Sequence, residues 1–85
     1  MKTVEIYTTQ TCGFCHAAKR LLAKKGVKYK ETDVGGDRAV RAAMSKRAQG
    51  ATSVPQIFIG KEHVGGNDDL HRLEREGVLD IMLGG

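Results

Sequence analysis

The 85 residues contain no tryptophan, a single proline and only two cysteines. Two tyrosines and two phenylalanines are the whole aromatic complement. So few rings leave little with which to build a base-stacking platform for nucleic acid. No apolar run approaches the ~20 residues of a membrane-spanning helix. The start of the chain, MKTVEIYTTQ, alternates apolar and polar side chains and lacks the continuous apolar stretch of a secretory signal. A cytosolic protein is the expectation, and reducing cytosol disfavours a structural disulfide. A bridge between cysteines this close together would also close too small a loop to restrain the unfolded chain much. Without an internal repeat, low-complexity tract or linker, residues 1–85 read as one domain.

Charge is present but not concentrated. Fourteen basic and ten acidic residues give a net charge of +4. Lys19, Arg20, Lys24 and Lys25 fall where a helix would show its solvated face. Scattered basic residues argue against a nucleic-acid partner, while a mild positive field helps attract a small anionic substrate.

The hydrophobic pattern changes period along the chain. Val4, Ile6 and Thr8 alternate with Glu5 and Tyr7, which predicts a strand over residues 3–8. From Gly13 the period becomes helical, with Phe14, Ala17, Ala18, Leu21 and Leu22 on one face and Gly26 as the stop. Residues 27–33 read as a second, more polar strand at a sheet edge. Asp37 caps a second helix with Val40, Ala43, Met44 and Ala48 inward, ending near Gly50. QIFIGKEHV reads as a hairpin turning at Gly60–Lys61. Asn67 or Asp68 then caps a helix carrying Leu70 and Leu73, and Val78 to Leu83 form a last helical turn or two. The order β-α-β-α-β-β-α predicts an α/β fold. Its first two strands are parallel through a right-handed crossover. The hairpin completes a four-stranded mixed sheet with helices on both faces.

This arrangement places Cys12 where a strand ends and a helix begins. A helix N-terminus offers unpaired N–H groups and partial positive charge, both of which favour a thiolate, the attacking form of cysteine. Cys15 lies one turn later, within reach of a disulfide carried on Cys12. An inert buried pair has no reason to sit together at a helix start. A structural zinc needs four ligands, of which one C-x-x-C supplies two, and His16, His63 and His71 lack finger spacing. The histidines read as surface residues. A C-x-x-C beside a β-α-β pattern reads instead as a redox motif of the thioredoxin type. Farther on, Pro55 in SVPQIFIG is acceptable as a strand-start proline. VGGNDD, taken alone, is a loop and a capped helix or an anion-binding helix end.

Taken together, VEIYT…TCGFCHAAKRLLAKKGV, SVPQIFIG and HVGGNDDL resemble the glutaredoxins, small dithiol members of the thioredoxin superfamily, over nearly the whole chain and especially the short bacterial type. The resemblance implies a thioredoxin-like fold and a glutathione-dependent thiol–disulfide oxidoreductase acting on protein–glutathione mixed disulfides and protein disulfides. It makes Cys12 the nucleophile and Cys15 the resolving thiol. It assigns glutathione binding to Tyr7, Phe14, Ser53, Val54, Pro55, Gly65, Gly66, Asn67 and Asp68, with a cis bond before Pro55. Lys46 and Arg47 are further candidates for the glycyl carboxylate. The implied partners are glutathione and glutathionylated or disulfide-containing proteins, met as a monomer.

Two departures stand out. Dithiol relatives commonly carry Pro-Tyr between the cysteines, where this chain has Gly13-Phe14, similar to the Cys-Gly-Phe-Ser motif of monothiol relatives that carry iron–sulfur clusters. Thr9 also replaces a lysine common in relatives. The alternative function is therefore a [2Fe–2S] carrier or redox sensor. In it, Cys12 of each of two chains and two glutathione thiols supply the four ligands of a homodimer.

Overall fold

A computed structural model describes residues 2–84. Strand β1 (Val4–Thr8) lies in the middle of the sheet, and helix α1 (Gly13–Lys24) returns the chain to β2 (Tyr29–Asp33). Helix α2 (Arg38–Arg47) precedes the hairpin of β3 (Gln56–Ile59) and β4 (Glu62–Gly65). Helix α3 (Asn67–Arg75) and the short α4 (Leu79–Met82) complete the described elements. The sheet order is β2-β1-β3-β4, with β1 parallel to β2 and antiparallel to β3, and with β3 antiparallel to β4. The mixed sheet and its edge strand β2 are as the sequence predicts. The mostly polar β2 suits an edge, because its outer row of backbone groups faces water and charged side chains discourage pairing with another chain.

Period-2 alternation separates the two faces. Val4 and Ile6 of β1 and Ile57 and Ile59 of β3 point to one side, where Ala18, Leu21 and Leu22 of α1, Leu70 of α3 and Leu79 of α4 cover them as one core. Glu5, Tyr7 and Phe58 point to the other side, beneath Arg47 of α2. Helices thus flank both faces. α2 is anchored by fully buried Met44, by Ala48 just beyond its end, and by Asp37, whose Oδ1 accepts the Val40 N–H at 3.1 Å.

Three local expectations change. Phe14 is 65% exposed rather than part of the α1 core face. Cys15, Ala18 and Leu22, spaced by three and four, take the inward stripe with Leu21, and Phe14 in the first turn is left facing solvent. Ala43 is likewise exposed, and Met44 is the one fully buried residue of α2. Finally, α3 is capped by Gly66, not by Asn67 or Asp68. Asp69 reaches back to accept the Gly66 N–H at 3.0 Å, which makes Asn67 the first helical residue.

Candidate active site

β1 ends at Thr8, and four residues later Cys12 serves as the N-cap of α1. Its backbone is extended, at φ −87° and ψ 113°, and its sulfur accepts the Cys15 N–H at 3.2 Å. A sulfur thus fills the capping role that a hydroxyl or carboxylate usually takes. No acidic residue occupies the first turn of α1, so the positive end of the helix faces Cys12 without competition from a neighbouring carboxylate. On its other side, Cys12 Sγ lies 3.7 Å from the carbonyl oxygen of Val54.

The two cysteines differ in access: Cys12 is half-buried, while Cys15 is 0% exposed. Burial pushes the Cys15 thiol up from its ordinary 9.0 to about 11, and its hydrogen bond with Cys12 raises it further within that total. The Thr9 backbone and Lys19 pull weakly the other way. At neutral pH Cys15 is therefore a protonated, shielded thiol. Its ionisation also links to stability. The unfolded chain gives up this proton first, so stability falls as pH rises from 9.0 towards about 11, and is undiminished by this group below that range. Cys15→Ser should flatten that decline relative to wild type in urea unfolding measured across the window. A parallel decline in both chains would contradict the assignment.

Beside Cys12 runs a groove of about 410 Å³ lined by Phe14, Ala51, Ser53, Val54, Pro55, Gln56, His63, Gly65, Gly66, Asn67, Asp68 and Asp69. The Val54–Pro55 bond is cis, as the family resemblance implies. Gly66 comes close to the opposite wall: a Cβ there would lie 3.5 Å from the Pro55 carbonyl oxygen. Eight of the expected glutathione contacts therefore meet in one concavity: Phe14, Ser53, Val54, Pro55, Gly65, Gly66, Asn67 and Asp68.

Tyr7 is elsewhere. Alternation along β1 turns it to the α2 face, where its ring meets Phe58 edge-on at 5.7 Å and its hydroxyl accepts from Arg47 Nη1 at 3.2 Å. Arg47 is itself tied to Glu5 and lies over the Phe58 ring, 4.0 Å from its centre. Neither Arg47 nor Lys46 lines the groove.

Sequence reasoning missed Ala51, Gln56, His63 and Asp69 as wall residues. Gln56 carried a signal, since it is the one polar residue in an otherwise apolar strand. His63, read as a surface residue, is half-buried and stacked on Phe58 at 4.9 Å. His71 is also half-buried, with Nε2 enclosed.

The Glutaredoxin family profile matches residues 4–64. Glutaredoxin 3 of Escherichia coli (strain K12) is 52% identical over 83 residues, covering 98% of this chain and 99% of that protein. The solution structure of glutaredoxin from Brucella melitensis superposes with a TM-score of 0.86 at 49% identity, covering 98% of this chain and 89% of that one. The crystal structure of the buckwheat glutaredoxin–glutathione complex gives 0.88 at 29% identity, covering 98% and 77% respectively. No helix among the described residues is long and apolar enough to cross a membrane. With its thioredoxin-like fold and an accessible cysteine capping the first helix, the chain belongs to the glutaredoxin family of glutathione-dependent thiol oxidoreductases.

Proposed function

We propose that the protein reduces protein–glutathione mixed disulfides through Cys12 alone and protein disulfides through Cys12 and Cys15 together. The observation that carries this reading is the placement of the Cys12 sulfur, 3.7 Å from the Val54 carbonyl at the groove, while Cys15 is sealed behind it. Glutathione lies along the groove with its peptide against the Val54 backbone. Its γ-glutamyl carboxylate meets the N-terminus of α3 at Asn67, and its ammonium meets the exposed Asp68 carboxylate. Ser53, Pro55, Gly65 and Gly66 shape the walls, and Phe14 supplies an exposed apolar edge.

Cys12 thiolate attacks the glutathionyl sulfur of the substrate. A Cys12–glutathione disulfide forms, the substrate S–S bond breaks, and its electron pair leaves on the protein sulfur, which takes up a proton from water. A second glutathione thiolate attacks the glutathione sulfur on Cys12, releasing glutathione disulfide and the Cys12 thiolate. With a protein disulfide, the Cys12 thiolate attacks one substrate sulfur, the substrate S–S bond breaks, and the other sulfur leaves as the first thiolate, so that Cys12 carries a mixed disulfide. Cys15 gives its proton to water and attacks the Cys12 sulfur; the Cys12–Cys15 bond forms, the Cys12–substrate bond breaks, and the electron pair leaves on the second substrate sulfur. Two glutathiones later reduce the Cys12–Cys15 bridge. The direct test is turnover of a glutathionylated peptide by the purified chain with glutathione, coupled to glutathione reductase. Dependence on glutathione and on Cys12 supports the reading, and turnover without either contradicts it.

A second reading is a [2Fe–2S] cluster bridging a homodimer. A single chain does not fit such a cluster. Among the described residues no group of three or more His, Cys, Asp or Glu could hold a metal ion, and Cys15 is sealed. One chain offers one accessible thiolate, so two chains and two glutathione thiols would complete the set. What favours the reading is Gly13 beside Cys12: the residue after the accessible thiol carries no side chain, and a Cβ there would meet nothing within 4 Å. Anaerobic reconstitution with iron, sulfide and glutathione should give a brown dimer. Gly13→Pro should weaken it, by stiffening the approach and removing an N–H, and Cys15→Ser should spare it. A colourless monomer, or the same cluster without glutathione, would rule it out.

A further inference from the structure

The segment Thr52–Pro55 carries no regular secondary structure, yet its Ser53, Val54 and Pro55 form one wall of the groove. Two side chains from regular elements hold it. Arg41 of α2 donates from Nε and Nη2 to the Thr52 carbonyl at 3.3 and 3.0 Å. Gln56 of β3 donates from Nε2 to the Ser53 carbonyl at 2.9 Å and lies 3.4 Å from Ser53 Oγ.

Gln56 is only 3% exposed, so its amide needs partners on both sides. The Ser53 carbonyl only accepts, which turns the Gln56 nitrogen towards the loop and its oxygen away. That oxygen lies 2.6 Å from His63 Nε2. His63 must then act as the donor, through an N–H at Nε2. The imidazole is fixed in turn by its stack on Phe58, with ring planes 29° apart. Phe58 is held by the edge of Tyr7 and the Arg47 guanidinium. The Tyr7–Arg47–Phe58 layer, which lies outside the groove, thus reaches its wall through His63 and Gln56.

We propose that His63 is a positioning residue for glutathione: through Gln56 it fixes the Ser53 carbonyl, and with it the Val54 backbone on which the tripeptide lies. This inference rests on the glutathione placement proposed above. His63 touches no reacting atom, so it acts on binding rather than on sulfur exchange.

The test uses the full chain, a glutathionylated peptide and glutathione. His63→Phe keeps a ring to stack on Phe58 but loses the donor. Its KM for the glutathionylated peptide should rise about tenfold, the scale of one buried hydrogen bond, with little change in kcat. His63→Gln returns an N–H near the position of Nε2 and should restore most of the KM. Gln56→Glu keeps an acceptor for His63 but sets a carboxylate oxygen against the Ser53 carbonyl, and should raise KM as His63→Phe does. In the Gln56→Leu/His63→Phe double variant, both polar partners are gone. Thermal stability should recover relative to the single variants while KM stays high. An unchanged KM in His63→Phe, a failure of His63→Gln to rescue, or a KM that recovers with stability in the double variant would overturn the proposal. Wild type that turns over the peptide while His63→Phe keeps its KM overturns this inference alone. Wild type that fails to turn it over overturns the glutathione reading as well.

Discussion

Cys12→Ser is expected to reduce glutathione-dependent reduction of a small mixed disulfide by ~1,000-fold or more, the scale on which loss of a covalent nucleophile acts. Cys15→Ser should keep activity of the same order as wild type. The asymmetry follows from access. Cys12 caps α1 with its sulfur half-exposed beside the groove, whereas Cys15 is enclosed and protonated until about pH 11. Serine at position 12 can still accept the Cys15 N–H, so the helix start survives and the loss reports on chemistry. Protein disulfides should show a different pattern. There the mixed disulfide with Cys12 must be resolved by Cys15, and Cys15→Ser should stall with substrate attached. The measurement is steady-state turnover of both substrate types by the two variants. Equal losses on the small mixed disulfide would remove the one-cysteine route.

The second large effect lies in the opposite wall. Gly65 has φ +117°, a conformation that side-chain-bearing residues rarely adopt, and a Cβ there would run into the carboxylate of Asp69. That carboxylate cannot retreat freely, because it accepts the Gly66 N–H at 3.0 Å and the Arg72 guanidinium at 2.8 Å. Gly65→Ala therefore combines backbone strain, a clash and a disturbed start to α3, and should cost about 2–4 kcal/mol of stability. Glutathione affinity should fall with it, since Gly66, Asn67 and Asp68 move with the cap. Gly13→Ala is the matched control. Its Cβ meets nothing within 4 Å, and reduced freedom of the unfolded chain should make it neutral or slightly stabilising. Urea midpoints of the two variants decide the matter. A Gly65→Ala midpoint close to wild type would contradict the role given to this turn.

What was legible in the sequence is what repeats or stands close together along the chain. Alternation over Val4–Thr8, the change of period at Gly13 and the Gly60–Lys61 turn of the hairpin are local patterns, and each became the expected element. Cys12 was legible because its chemistry depends on a strand-to-helix junction that its neighbours specify. The groove residues entered through family resemblance, since nothing local ties Val54 to Gly66. What stayed hidden joins residues far apart. Arg47 meets Glu5 and Tyr7 across forty-two and forty positions, and this claims the tyrosine for the α2 face. Alternation separated Tyr7 from Ile6 but could not say what would cover it. The same limit applies to Arg41 on the Thr52 carbonyl and to His63 on Gln56, where register across the sheet and one helix crossing set the distances.

The central claim is that Cys12 carries glutathione during the reaction. Incubating Cys15→Ser with glutathione disulfide, then mapping the modified peptide by mass spectrometry under non-reducing conditions, tests it most directly. The account predicts one glutathione per chain, attached to Cys12, and released when fresh glutathione is added. No adduct, or an adduct formed equally well at Cys15 in the Cys12→Ser chain, would contradict it.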